Sequence, residues 1–138
     1  MPGSTGNILG TVAFCLGALT ALPARTIVVD RAGTGDHTAI QPALDAAADG
    51  DTVLVLSGEY LITESIDFNR FVDLDPGAPV RDLILRSERG PGETTIRMAP
   101  DGGGSVMVFG HGESGDSLVE GFTLTGGHGS TRTGFTTS

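Results

Sequence analysis

Four aspartates are the first residues whose type and spacing could support chemistry. Asp73 and Asp75 stand in a stretch that contains proline and glycine, with Asp67 before it and Asp82 after it. Calcium takes several oxygen ligands, mainly from carboxylates and carbonyls, so this group could in principle bind Ca²⁺. Spacing alone does not bring the oxygens to one point, and a solvated acidic loop accounts for the same residues. The sequence therefore favours no metal and no cofactor.

The three histidines, His37, His111 and His128, lie in predicted turns rich in glycine. A role in proton transfer or metal binding requires two histidines together, or one histidine beside a carboxylate. Nothing in their spacing joins them to one another or to an acid. They are interpreted as exposed loop histidines.

Three arginines, Arg86, Arg89 and Arg97, could line a face that binds acidic sugars. Arg86 and Arg97 alternate with apolar residues in predicted strands, so both should point outward. Glu88 and Glu93 lie nearby in the sequence. Surface ion pairs are therefore favoured over a binding face.

Two glycine-rich segments could in principle serve as ligand loops. Gly110–Gly115 lacks the lysine and the strand–loop–helix setting of a phosphate-binding loop, and a turn between strands is favoured. Gly102–Gly104 lacks the aspartate of a calcium-binding repeat. No catalytic residue is assigned, and the substrate-binding residues stay unknown.

Length and charge limit the class of protein. The chain has 138 residues, enough for one domain, and its 17 acidic residues against 8 arginines and no lysine give a net charge of −9. Such a surface repels phosphate backbones and lacks a basic patch, so nucleic acids and anionic membranes are poor partners and no nucleic-acid partner is expected. An anionic polysaccharide is disfavoured unless Ca²⁺ bridges it to carboxylates. The 22 glycines and 7 prolines favour many short strands over long helices.

Residues 1–24 resemble a secretory signal peptide, with cleavage after Ala21 or Ala24. They contain no charged residue, so the usual basic start is missing, and residues 8–22 are almost wholly apolar. This stretch is short for a stable membrane span. Secretion is favoured over a cytoplasmic chain with a misassigned start or a buried N-terminal helix. The single cysteine, Cys15, is interpreted as an inert thiol, so no disulfide is expected.

The next segment predicts a strand, a helix and a second strand. Thr26–Asp30 is rich in β-branched residues. A helix is predicted over Ala39–Ala48, with Thr38 and Gln41 as a capping box. Its apolar face at helical spacing consists of Ile40, Ala43, Leu44 and Ala47. The uninterrupted run Val53–Leu56 predicts a strand covered on both faces or one at a helix junction.

Later residues predict short strands separated by turns. Ser65–Phe68 alternates apolar and polar residues, and 69–81 is predicted as a loop. Four further β runs are predicted at 82–87, 94–98, 105–109 and 119–125, with no helix between them.

Spacing favours a solenoid among the folds with many short strands. The interval from Ile84 to Val106 nearly equals the interval from Ile96 to Val119, as one coil per interval would give. A two-sheet sandwich stays open. The last coil would be uncovered at 128–138, which favours a truncated copy of a longer protein, or association with another chain through the open end.

One stretch resembles a known family. Gly33–Tyr60 is similar to the N-terminal capping region of the pectin-lyase-like superfamily of right-handed parallel β-helix proteins. The matching residues are Thr38, Ile40, Gln41, Ala43, Asp45, Gly50–Asp51 and Gly58–Glu59–Tyr60, with Ser57 where proline is common. Residues 82–98 and 117–127 resemble coils of secreted bacterial β-helix proteins. The resemblance implies that the helix closes one end of a solenoid whose first coil begins at Val53.

The sequence thus predicts an all-β fold, a right-handed parallel β-helix with an N-terminal capping helix. Its predicted parts are a signal peptide at 1–24, the cap and first coils at 25–127, and an irregular tail at 128–138. Three functions stay open. They are a non-catalytic scaffold of a secreted protein associated with carbohydrate or displayed on a surface, a piece of a polysaccharide-active enzyme without its catalytic coils, and a module that assembles through its open end.

Overall fold

The computed structural model describes residues 23–129, which consist mainly of short strands. Most of the predicted signal peptide, with Cys15, and residues 130–138 lie outside this range. The strands are β1 (Thr26–Val29), β2 (Thr52–Val55), β3 (Gly58–Ile62), β4 (Ile66–Asp67), β5 (Ile84–Ser87), β6 (Thr94–Met98), β7 (Met107–Val108), β8 (Leu118–Glu120) and β9 (Thr123–Thr125). The helices are α1 (Ile40–Ala46) and α2 (Phe71–Leu74). The prediction of a strand-rich, all-β class is confirmed.

The paired strands of the described range run parallel and form three sheets, with the orders β1-β2-β5-β8, β3-β6-β9 and β4-β7. The chain leaves one sheet, contributes a strand to another and returns to the first. In the largest sheet, Ile27, Val53, Leu85 and Val119 align in one row. Parallel strands need long crossover connections. Here α1 lies in the connection from β1 to β2, and strands of the other two sheets lie in the connections from β2 to β5 and from β5 to β8.

The recurrence predicted from the spacing of apolar runs is wrong. Ile84 aligns with Leu118 rather than with Val106, and Ile96 aligns with Leu124 rather than with Val119. Val106 immediately precedes β7, a strand that pairs with β4 in a different sheet. Similar apolar runs occur in all three sheets, and their connections differ in length, so a match between runs does not identify paired strands.

The core lies between the sheets and beneath α1. Val53, Val55, Leu85 and Ile96 are fully buried, while alternate residues of the same strands are more exposed. Leu54 is only partly buried, so β2 is fully covered on one face rather than both. Strand alternation therefore sets the inward and outward rows.

Helix α1 buries Ile40 and Leu44 as predicted, but the capping box is wrong. The residue before the helix is Ala39, and its side chain makes no capping hydrogen bond. Gln41 binds β4 instead: the Asp67 N–H donates to its Oε1 over 2.9 Å, and its Nε2 donates to the Asp67 carbonyl over 2.8 Å. An amide can satisfy a backbone donor and acceptor together, so Gln41 fixes the helix against the sheet.

The outer edge of β1 is covered by the turn that follows it. The N–H groups of Asp36 and His37 donate to the Val28 carbonyl over 2.8 and 3.1 Å. A Cβ atom on Gly35 would lie 2.6 Å from the Val28 oxygen, so only glycine allows this approach. Among residues 23–129, no strand pairs with the outer edge of β8, so the two ends of this sheet differ.

Three further segments differ from their predictions. The predicted loop at 69–81 contains the single-turn helix α2. Strand β3, for which no strand was predicted, begins at Gly58. The run predicted at 119–125 is divided into β8 and β9 at Gly121, whose φ is +83°. Its Cβ would lie 2.3 Å from the Ser87 Oγ, so glycine is required there.

Candidate functional site

A histidine surrounded by three carboxylates lies where the segment after β7 passes β4. The His111 side chain is only 10% exposed. Its Nδ1 lies 3.3 Å from Asp67 Oδ1 and 3.7 Å from Glu113 Oε1, and its Nε2 lies 3.1 Å from Asp73 Oδ1. This group is called the His111 cluster below.

Strand pairing brings these residues together. Asp67 ends β4 and aligns with Val108 in β7, so the residues after Val108 continue alongside Asp67 and the turn that follows it. The Phe109 ring packs against Phe68 with a centroid distance of 4.7 Å. This contact holds the start of the segment that carries His111 and Glu113.

Asn69 fixes two of the carboxylates. It is 1% exposed, its N–H donates to Asp67 Oδ1 over 2.9 Å, and its Nδ2 donates to Glu113 Oε1 over 3.0 Å. The backbone N–H of His111 donates to Glu113 Oε2 over 3.0 Å. Neutral donors therefore hold the carboxylates of Asp67 and Glu113 in place.

The cluster favours positive charge at its centre. Burial lowers the pKa of His111, but the hydrogen bond with Asp73 and the charges of Asp67, Asp73 and Glu113 outweigh it, so the pKa lies above its usual value. Burial raises the pKa of Glu113. The hydrogen bonds from the Asn69 side chain and the backbone N–H of His111 outweigh burial, together with the charge of His111, so the pKa of Glu113 lies below its usual value.

A neutral imidazole cannot satisfy this arrangement by itself. It carries one N–H, whereas both of its nitrogens face carboxylate oxygens. Nδ1 is buried and has no hydrogen-bond partner among the described residues. The site can therefore hold either a second proton on the ring or a cation beside Nδ1.

The interpretation of His111 as an exposed loop residue is wrong, because its side chain is 10% exposed and contacts three acids. His128 is exposed, as predicted, and His37 is half-buried in the turn that covers β1. Sequence reasoning did not single out Glu113. It lies within the Gly110–Gly115 turn, and no local signal places it beside Asp67.

The four aspartates of the predicted acidic group do not converge. Asp67 and Asp73 contact His111. Asp75 accepts a hydrogen bond from the Gly77 N–H in its own turn, and Asp82 accepts hydrogen bonds from Ser114 and Ser117. Hydrogen bonds from the side chain and backbone of Ser114, and from the side chain of Ser117, lower the pKa of Asp82.

The arginines point outward as predicted and form ion pairs. Arg86 contacts Glu120, and Arg97 lies 3.1 Å from Glu59, so both pairs join neighbouring strands. The predicted partners Glu88 and Glu93 are not the ones used by these two arginines. Arg89 lies 4.0 Å from Glu88.

Glu113 also borders an open groove of about 580 Å³, with Phe109, Ser114 and Leu118 among its lining residues. The Glu113 side chain itself is only 5% exposed, so this groove gives its carboxylate little contact with solvent. Asp73, on the other side of the His111 cluster, is 71% exposed.

No helix within residues 23–129 is long and apolar enough to cross a membrane. No family model, curated protein or solved structure matches this chain.

Proposed function

We propose that residues 25–127 are the N-terminal cap and first coils of a right-handed parallel β-helix, and that this segment is a non-catalytic scaffold of a secreted protein. The observation that carries the proposal is the row of Ile27, Val53, Leu85 and Val119. Helix α1 lies between the first two members, and strands of the two other sheets lie between Val53 and Leu85 and between Leu85 and Val119. Crossovers between parallel strands are right-handed in nearly all proteins, which supports the hand.

The charged residues support a scaffold role because they join one coil to the next. Arg97 in β6 reaches Glu59 in β3, and Arg86 in β5 reaches Glu120 in β8. These exposed pairs each contribute little stability, but they lie across strand neighbours and so favour the observed alignment. Their positive charge is neutralised within the protein.

A neutral polysaccharide is the partner that the outer face of the β3–β6–β9 sheet would accept. Outward positions on this face include Leu61, Thr95, Arg97 and Thr123, which offer apolar surface, hydroxyl groups and a guanidinium. Leu61 is 62% exposed. The net charge of −9 disfavours an anionic polymer.

Affinity electrophoresis of the full chain in gels that contain neutral polysaccharides tests this partner. Retardation by at least one polymer is expected, and Leu61→Asp should weaken binding about tenfold, the equivalent of about 1.4 kcal/mol. Arg89→Asp is the matched control, since Arg89 lies outside this sheet and should leave retardation unchanged. No retardation by any polymer, or equal retardation of both variants, would refute the proposed partner.

Assembly through the β8–β9 end is a second candidate, and one observation favours it. Leu124 lies in the same row as Tyr60 and Ile96, yet it is 47% exposed while they are 5% and 0% exposed. A second copy of this chain could cover this inward row. Light scattering would then give a dimer mass that Leu124→Lys reduces to a monomer mass, whereas a monomeric parent chain favours the scaffold alone.

A further inference from the structure

The buried nitrogen of His111 and two carboxylate oxygens form a compact set of possible metal ligands. His111 Nδ1, Asp67 and Glu113 each offer one atom, and all three atoms lie within 4.8 Å of one another. The Nδ1 side of the ring faces Asp67 over 3.3 Å and Glu113 over 3.7 Å without a hydrogen bond. Lone pairs at these distances repel one another unless a positive charge lies between them.

The two distances from His111 Nδ1 suit a small tetrahedral cation. Zinc binds imidazole nitrogen and carboxylate oxygen at about 2.0–2.1 Å, which places neighbouring ligand atoms about 3.3–3.5 Å apart. The 3.3 and 3.7 Å separations from Nδ1 are close to that requirement. Calcium is a poorer match because it prefers more ligands, all of them oxygen.

Hydrogen bonds orient the three proposed ligands in the way that is common at zinc sites. The Nε2 of His111 lies 3.1 Å from Asp73, so an N–H there donates to a carboxylate and leaves the Nδ1 lone pair free for a metal. Asn69 holds Asp67 and Glu113 through hydrogen bonds of 2.9 and 3.0 Å. The ligands therefore need little rearrangement to bind a cation.

We propose that Asp67, His111 and Glu113 bind a first-row divalent cation, with zinc preferred, and that water completes the coordination. Three protein ligands leave one position of a tetrahedral zinc ion open. The Asp67 side chain, which is 16% exposed, is the most accessible of the three ligands. Asp73 is a positioning residue, because it acts on the metal only through His111.

Isothermal titration of the metal-free full chain with ZnSO₄ tests this site. All proteins carry Cys15→Ser, which removes the only thiol as a competing ligand. One zinc ion per chain is expected for the parent, with no saturable binding of CaCl₂ in its place. His111→Ala should abolish the zinc signal, Glu113→Gln should weaken it by more than tenfold, and Asp73→Asn should weaken it about 10- to 100-fold.

His128→Ala and Asp75→Asn are the matched controls, since both residues lie outside the cluster. Circular dichroism of His111→Ala and Glu113→Gln checks that they fold. A visible spectrum of the Co²⁺-loaded parent that indicates tetrahedral coordination, and that is absent in the folded Glu113→Gln variant, gives a second readout. Absence of stoichiometric zinc binding by the parent, or binding that His111→Ala leaves unchanged, would overturn the proposal.

Discussion

Leu85→Ala is expected to lower the free energy of unfolding by about 2–5 kcal/mol. Leu85 is fully buried in β5, between Val53 of β2 and Val119 of β8. Truncation removes apolar contacts and leaves a cavity at the centre of the largest sheet. Because small domains are stable by only about 5–15 kcal/mol, this loss should be visible as a much lower urea midpoint.

Arg86→Ala is the matched control for Leu85→Ala. Arg86 is the next residue of the same strand, but its side chain is 49% exposed and pairs with Glu120. An exposed ion pair is worth about 1 kcal/mol or less. Equal shifts of the urea midpoint for the two variants would show that the inward and outward rows of β5 are assigned incorrectly.

Arg81→Met is expected to destabilise the protein by about 3 kcal/mol, because charged hydrogen bonds are lost and backbone carbonyls lose a partner. Nη1 donates to the carbonyls of Leu44 and Ala47 over 2.9 and 2.5 Å, and Nη2 donates to that of Phe68 over 2.6 Å. Arg81 thereby joins the C-terminal end of α1 to the residue after β4. Positive charge at a helix C-terminus is also favourable.

Arg89→Met is the control for Arg81→Met, since Arg89 is 68% exposed and lies 4.0 Å from Glu88. No measurable change of the urea midpoint is expected for it. If Arg81→Met unfolds at the same urea concentration as the parent, the three carbonyl contacts contribute nothing and the hydrogen bonds of Gln41 with Asp67 are left as the link from α1 to β4.

Local patterns were sufficient to predict the inward and outward rows and the position of α1. Leu85 and Ile96 are buried and Arg86 and Arg97 are exposed because side chains alternate along a strand, whichever strand lies beside it. The apolar spacing of Ile40 and Leu44 likewise predicted the buried face of α1. Such features depend on few neighbours, so short stretches of sequence determine them.

The pairing of strands could not be read from the sequence, since it depends on connections of unequal length. The stretch of chain between Ile66 and its partner Met107 is much longer than the stretch between Ile96 and its partner Leu124. The His111 cluster depends on the pairing of β4 with β7, and each of these strands is very short. Such strands have almost no periodic signal, and Asp67 and His111 are far apart in the sequence.

Gln41 shows a different limit of sequence reasoning. Its spacing from Thr38 is typical of a capping box, but its amide binds the backbone of Asp67 in β4. Two hydrogen bonds to a strand replace one to the helix N-terminus. A tertiary contact therefore outweighs the local one, and only the folded arrangement reveals it.

Disulfide formation between engineered cysteines tests the parallel alignment of successive strands most directly. Arg86 and Glu120 are direct neighbours in β5 and β8, and neighbouring strands lie about 4.8 Å apart, within the range of about 4.4–6.8 Å between the Cα atoms of a disulfide. In a Cys15→Ser background, R86C/E120C should oxidise to an intramolecular disulfide, detected by mass. R86C/V108C should stay reduced. The recurrence predicted from the interval between Ile84 and Val106 would instead make these two positions neighbours. A disulfide in the second variant and none in the first would contradict the alignment on which the whole architecture depends.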